Sequence, residues 1–283
     1  MSAPSQPQPQ PLPLPLPLPI LVVNPNTTKA MTDGLEVALE PIIASGRLHR
    51  PTFFTAPTGI ASINDDDDCH ASAEAVWPSL VTSSSPPDAP SLVSRHSAVL
   101  IACYSVHPLV QRLVADSYTE RRMPVLGIFE ASILASLAVC LMPKDRFGIV
   151  TTGAVWDPIL SRGVADFLGA GTDGEREREG KFAGVETTGL TAVELHSTAP
   201  EEVTRRLKEA VKRLIRRTRQ RGGGGELRAV CLGCAGMVGF DEAVRAGCVE
   251  ELGPEAGAKI SIIDGVKAGY LMLEGMVRRP EDV

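Results

Sequence analysis

Ile20-Leu21-Val22-Val23-Asn24-Pro25-Asn26-Thr27-Thr28 is an apolar, mostly β-branched run that stops at turn and cap chemistry. Met31 to Leu39 then carries helical periodicity, so the stretch reads strand, turn, helix. The same text recurs as Phe147 to Val150 (strand), Thr151-Thr152-Gly153 (turn) and Val155 to Phe167 (helix), with Asp157-Pro158 suited to a first turn. Two further apolar runs, Ala98 to Ala102 and Ala229 to Leu232, end at Cys103-Tyr104-Ser105 and Cys234-Ala235-Gly236. The intervals from Thr28 to Cys103 and from Thr152 to Cys234 are about 75 and about 82 residues, which predicts an internal duplication. Continuously apolar strands alternating with helices predict parallel sheets covered on both faces, with ligands beyond the strands' C-terminal ends. The expected fold class is therefore α/β, with two similar parallel-sheet domains related by a pseudo-twofold and a cleft between them as the site. The expected organisation is a Pro-rich tail over 1–19, a first domain over 20–123 plus about 240–283, and a second over 124–239.

Outside this frame the chain is punctuated by loops. Eight of the 23 prolines fall in the first 19 residues, a disordered polyproline-type tract with no core-forming pattern. Asp65 to Asp68, Ser83 to Pro90, Gly171 to Gly180 and Gly222 to Gly225 read as charged or Pro/Gly/Ser-rich surface loops. The four-Asp run lacks the spacing of a calcium loop. From Val203 to Arg219 apolar residues recur at helical spacing and Arg and Lys fill the other face, a solvated helix rather than an RNA-binding patch.

The 283 residues carry 28 Lys+Arg against 34 Asp+Glu, and a net charge of -6 excludes a chain built mainly to coat nucleic acid or an anionic membrane. Leu12 to Leu18 alternate with Pro and cannot form a signal-peptide helix or a membrane span, so the expected location is cytoplasmic. Six cysteines in a chain this long are too sparse for a disulfide scaffold. Expected partners are a small-molecule substrate, with neither nucleic acid nor membrane. A homo-oligomer and a partner for the proline tract are left open.

Two of those cysteines occupy matching positions. Cys103 and Cys234 each end a strand in a small-residue turn, where backbone N–H groups gather and lower a thiol pKa. If the strand ends of the two halves face one cleft, one thiolate removes a proton from carbon and the opposing thiol returns one to the other face, inverting the centre. Asn24, Thr27, Thr28, Ser105, Thr151, Thr152, Ala235 and Gly236 are the candidate binding residues, offering hydroxyls, amides and backbone donors to carbonyl oxygens that gain charge. The threonines serve equally as helix caps. Cys69, Cys140, Cys231 and Cys248 read as structural or surface residues, and His107 as a polar loop residue. No metal site is expected: Cys231-Leu232-Gly233-Cys234 is formally C-x-x-C and Cys103 with His107 is C-x-x-x-H, a set that could together hold zinc, but Cys231 lies inside an apolar strand and residues three apart on a strand point to opposite faces.

N-P-N-T-T (Asn24 to Thr28), P-V-L-G-I-F-E-A-S (Pro124 to Ser132), L-G-C-A-G-M (Leu232 to Met237) and I-D-G-V-K-A-G (Ile263 to Gly269) closely resemble the hydantoin racemase family of the aspartate/glutamate racemase superfamily. The resemblance runs from about Ile20 to Met276. It implies a cofactor-independent two-thiol racemase, with the family's catalytic cysteines at Cys103 and Cys234 and with 5-substituted hydantoins or allantoin as substrates. The chain departs from the family's C-F-G-D-P-G with Tyr104-Ser105-Val106-His107-Pro108 after Cys103, and from its G-P-x-S-I-E with Gly59-Ile60-Ala61-Ser62-Ile63-Asn64. Rival readings are a one-cysteine decarboxylase or isomerase of the same superfamily and a non-catalytic binding protein that retains the fold.

Overall fold

A computed structural model describes residues 18–46, 48–82, 90–120, 123–169, 180–220 and 224–278. The proline tract up to residue 17, and most of the expected loops at 83–90, 171–180 and 222–225, lie outside the described residues.

The first half runs β1 (Ile20–Asn24), α1 (Lys29–Ile43), β2 (Thr52–Thr55), α2 (Asp66–Val81), β3 (Ala98–Ile101), α3 (Pro108–Glu120) and β4 (Val125–Gly127). Then come α4 (Ile128–Val139), β5 (Asp145–Thr151), α5 (Trp156–Phe167), β6 (Phe182–Thr187), α6 (Glu194–Ser197) and α7 (Pro200–Gln220). The chain closes with β7 (Glu226–Gly233), α8 (Asp241–Leu252), α9 (Pro254–Ala258), β8 (Ser261–Asp264) and α10 (Gly265–Val277). All pairings are parallel, in the orders β2-β1-β3-β4 and β6-β5-β7-β8. The two halves thus repeat one strand order, as the intervals predicted, and the inner strands β1, β3 and β5 are buried along their whole length because helices cover both faces.

The halves are laced together by two exchanged helices. α4 follows β4 of the first sheet yet packs on β7 and β8 of the second, and α10 follows β8 of the second sheet yet packs on β3 and β4 of the first. One apolar cluster is consequently shared, with Val22 and Leu100 from the first sheet, Phe147, Ile149 and Cys231 from the second, and Phe129, Ile133 and Tyr270 from the exchanged helices. This corrects the expected boundaries. β4 extends the first sheet past residue 123, and β8 pairs with β7, so only α10 of the C-terminal segment returns to the first sheet. A short strand is assigned to a sheet by its hydrogen-bond partners, which spacing alone does not reveal.

The exchanged helices meet at their first residues. A Cβ on Gly265 would run into the backbone carbonyl of Ile128, an atom that cannot swing aside. Gly265→Ala is therefore expected to destabilise the fold by about 1–3 kcal/mol, the usual range for overpacking a close contact, read as a lower midpoint in urea unfolding. An unchanged midpoint would mean that the crossing has slack.

Of the two charged segments, the four-Asp run departs from its expected role and the basic helix keeps it. Asp65 caps α2, accepting from the Asp68 N–H at 2.9 Å, and Asp66 to Asp68 form the helix's first turn, where negative charge is favoured. They are a helix start rather than a loop. On α7, Val203, Leu207, Val211, Leu214 and Ile215 are buried as the spacing predicts. Arg205 and Arg206 pair with Glu202, Arg213 with Glu186, and Arg216 with Glu251. Among the described residues no helix is long and apolar enough to cross a membrane.

Candidate active site

Asn24 decides how the chain leaves β1. Its buried amide donates to the Asn26 side chain at 3.2 Å, the Thr28 carbonyl at 3.2 Å and the Thr32 hydroxyl at 3.0 Å, which folds N-P-N-T-T over the start of α1. Thr27 and Thr28 then donate their hydroxyls to the Ile60 and Ala61 carbonyls at 3.3 and 2.7 Å. Asp68 accepts from the Asn64 N–H at 2.8 Å. The turn after β1 and the start of α2 together hold the Ser62-Ile63-Asn64 loop in place. In the second half Thr151 donates to the Gly233 carbonyl and ties the ends of β5 and β7 together. At Gly233 a Cβ would come within 2.7 Å of Thr151 and Ile149, so only glycine lets these ends close.

These ties enclose a cavity of about 130 Å³ between the strand ends, with Cys103 from the end of β3 and Cys234 from the end of β7 both in its wall. A cavity of roughly 150 Å³ accommodates a benzene-sized ring. Ser62, Asn64, Thr152 and Thr191 supply polar groups, Trp156, Val155 and Met31 apolar ones, and no described lining residue is charged.

Of the residues singled out in sequence, Cys103, Cys234, Thr152, Ala235 and Gly236 line the cavity. Asn24, Thr27, Thr28 and Thr151 are spent on the tertiary bonds just described and do not line it. Ser105 is also absent from the lining: its hydroxyl lies 3.3 Å from the Cys69 sulfur and 3.4 Å from that of Cys103. Asn26, Ser62, Asn64, Trp156 and Thr191 were not anticipated. Ser62 and Asn64 stood in the segment that departs from the family's pattern, which was a usable signal, whereas nothing local marks Thr191.

Two of the remaining cysteines and His107 need separate comment. Cys231 points away from the cavity, its sulfur 3.1 Å from the Ser136 hydroxyl on α4, which separates it from Cys234. Cys69 is fully buried on α2, not a surface residue, and its ligating atom lies with those of Cys103 and His107 in one group within 4.8 Å. His107 lies in the loop before α3, as expected, but is buried, only 1% exposed, beside an exposed Val106. Burial lowers His107 to about 4, so its imidazole is neutral at physiological pH.

The expected lowering of the Cys103 and Cys234 thiols is also corrected. Cys234 does accept a backbone N–H, from Gly236 at 3.3 Å, but burial outweighs it and pushes the thiol up to about 11. Cys103 is raised well above the ordinary range by its hydrogen bond with Cys69 and by burial, and the same bond lowers Cys69. A raised pKa means that only ~10⁻⁴ of Cys234 is thiolate at pH 7. Alkylation of Cys234 by iodoacetamide, followed by peptide mass mapping, should accordingly rise about tenfold per pH unit from pH 7 to 10. A plateau below pH 9 would contradict this.

The Asp/Glu/Hydantoin racemase family profile matches residues 20–273. An uncharacterized protein of Schizosaccharomyces pombe is 31% identical over 262 residues, 91% of each chain. Protein DCG1 of Saccharomyces cerevisiae is 29% identical over 223 residues, 78% of this chain and 83% of that one. Among solved structures, an allantoin racemase from Pseudomonas fluorescens superposes with a TM-score of 0.65 at 22% identity, covering 92% of this chain and 91% of its own. Glutamate racemase RacE1 from Bacillus anthracis superposes with a TM-score of 0.56 at 15% identity, covering 92% and 81%.

Proposed function

The chain belongs to the Asp/Glu/Hydantoin racemase family, and on that footing we propose that it is a cofactor-independent racemase of neutral cyclic ureides, such as 5-substituted hydantoins or allantoin, with Cys103 and Cys234 as its two proton-transfer groups. The observation that carries this reading is that both thiols, brought by equivalent strands of two sheets, line one small uncharged cavity. One thiolate takes the proton from a ring carbon beside a carbonyl. The other thiol delivers its own proton to the opposite face, and the enzyme is left with the roles exchanged. The raised thiols suit this cycle, because a high pKa keeps the donor protonated and makes the scarce thiolate a stronger base.

Charge that develops on the substrate oxygen meets hydroxyl donors from Thr152 and Thr191 and the backbone N–H at the start of the turn, at Ala235. Trp156 and Val155 offer apolar wall to one face of the ring. Two of the structural relatives are named as allantoin racemases, and a five-membered ureide fits both the volume and the neutrality of the cavity.

The test is incubation of single enantiomers of allantoin and 5-substituted hydantoins in heavy water. Loss of optical rotation together with deuterium at C5 is the expected result. Absence of exchange across the panel rejects the reading, and exchange accompanied by loss of carbon dioxide supports the decarboxylase instead.

A further inference from the structure

Cys103 belongs to a second constellation that proton transfer does not need. Its sulfur, the Cys69 sulfur and a ring nitrogen of His107 all lie within 4.8 Å of one another. The three residues come from the first turn of α2, the end of β3 and the residue before α3, and α2 packs on α3, so the cluster is held from three directions. Nothing in the racemisation cycle calls for a fully buried thiol and a fully buried imidazole beside Cys103.

The donor set has a definite chemical preference. Two sulfurs and an imidazole, with no carboxylate among them, suit zinc and its borderline-soft neighbours rather than magnesium or calcium. Tetrahedral zinc spaces sulfur and nitrogen ligands at about 3.5–3.8 Å, so atoms that already lie within 4.8 Å of one another have to close by no more than about 1 Å around an ion. Charge also balances: Zn²⁺ displaces two thiol protons, and the two thiolates and a neutral imidazole leave a buried site with no net charge. His107 supplies an independent sign. Its Nε2 is buried with no hydrogen-bond partner, while Nδ1 accepts only a long 3.3 Å bond from the Leu109 N–H. Coordination through Nε2 gives the orphaned atom a partner, with the ring proton moving to Nδ1 at the expense of that weak bond.

We propose that Cys69, Cys103 and His107 bind one zinc-type divalent cation, and that the bound ion occupies the Cys103 sulfur and so prevents it from transferring protons. Metal loading and racemisation are then mutually exclusive. The inhibitory consequence rests on the racemase reading, whereas the binding site does not.

The experiment uses the full chain, reduced with a phosphine and titrated with Co²⁺ without oxygen. A thiolate-to-cobalt charge-transfer band should appear, saturate at one cobalt per chain and disappear on adding Zn²⁺. Cys69→Ala and His107→Ala should each weaken the metal by at least about 100-fold. Cys234→Ala, which lies outside the cluster, should keep the band. Circular dichroism of each variant verifies that it is folded, and Cys69→Ser and His107→Gln replace any alanine variant that is not. Absence of the band in the wild type overturns the proposal. So does a band that survives unchanged in folded variants at both Cys69 and His107. Because the band is read without turnover, a chain that racemises nothing still reports on the metal site; inhibition by Zn²⁺ in the heavy-water assay tests the exclusion separately.

Discussion

Cys103→Ser and Cys234→Ser should each lose at least about 10³-fold in the rate of inversion while keeping the wild-type fold, since positioned acid–base groups contribute 10²–10⁴-fold and a serine hydroxyl is too weak an acid to replace a thiol. The loss should appear in kcat with little change in KM, because the exchanged atom touches the reacting proton and not the bulk of the ring. Mixing the two variants should restore nothing if both thiols must face one cavity of one chain. Cys140→Ser is the control: that residue is buried on another part of the core and does not line the cavity. Full activity in either test variant removes the two-thiol mechanism and leaves the one-cysteine isomerase or decarboxylase, or the binder.

The second large effect concerns what the cavity refuses. Glutamate and aspartate each bring two carboxylates and an ammonium group, and no described residue in the wall is charged to receive them. Burying an ion without a partner costs several kcal/mol, and each 1.4 kcal/mol is a factor of ten. Free glutamate and aspartate should therefore be exchanged at least about 10³-fold more slowly than a neutral hydantoin, measured as deuterium incorporation under the same conditions. Comparable rates would show that a charged group reaches the site during binding, and would withdraw the cyclic ureide as the substrate class.

Legibility along the chain followed the range of the interactions involved. Strand β1, the turn after it and α1 are local: alternation of apolar text with Asn, Pro and Thr carries them, and the observed spans extend the expected ones by a few residues. Equivalent positions for Cys103 and Cys234 were legible because a duplicated strand order repeats its strand-end cysteine at nearly the same interval. The fates of Thr27, Thr28 and Thr151 were not. A threonine hydroxyl beside a cleft and one that bonds a carbonyl across a loop look alike in sequence, and only the placement of Ile60, Ala61 and Gly233 separates them. The thiol pKa values reversed for a related reason, since a single N–H at Cys234 is visible in the turn but the burial that overwhelms it arises only once the chain has folded.

By itself, the sequence determined an α/β chain with a repeated unit, two strand-end thiols in matching places and the family in which such thiols occur. These follow from hydrophobic period, turn chemistry and short motifs, which depend on neighbours a few residues away. Tertiary structure alone decided that α4 and α10 trade sheets, that no described residue lining the cavity is charged, and that Cys69 and His107 close in beside Cys103. Each of those depends on side chains tens to hundreds of residues apart, and their meeting is fixed by how the two sheets bury their shared core rather than by any local pattern.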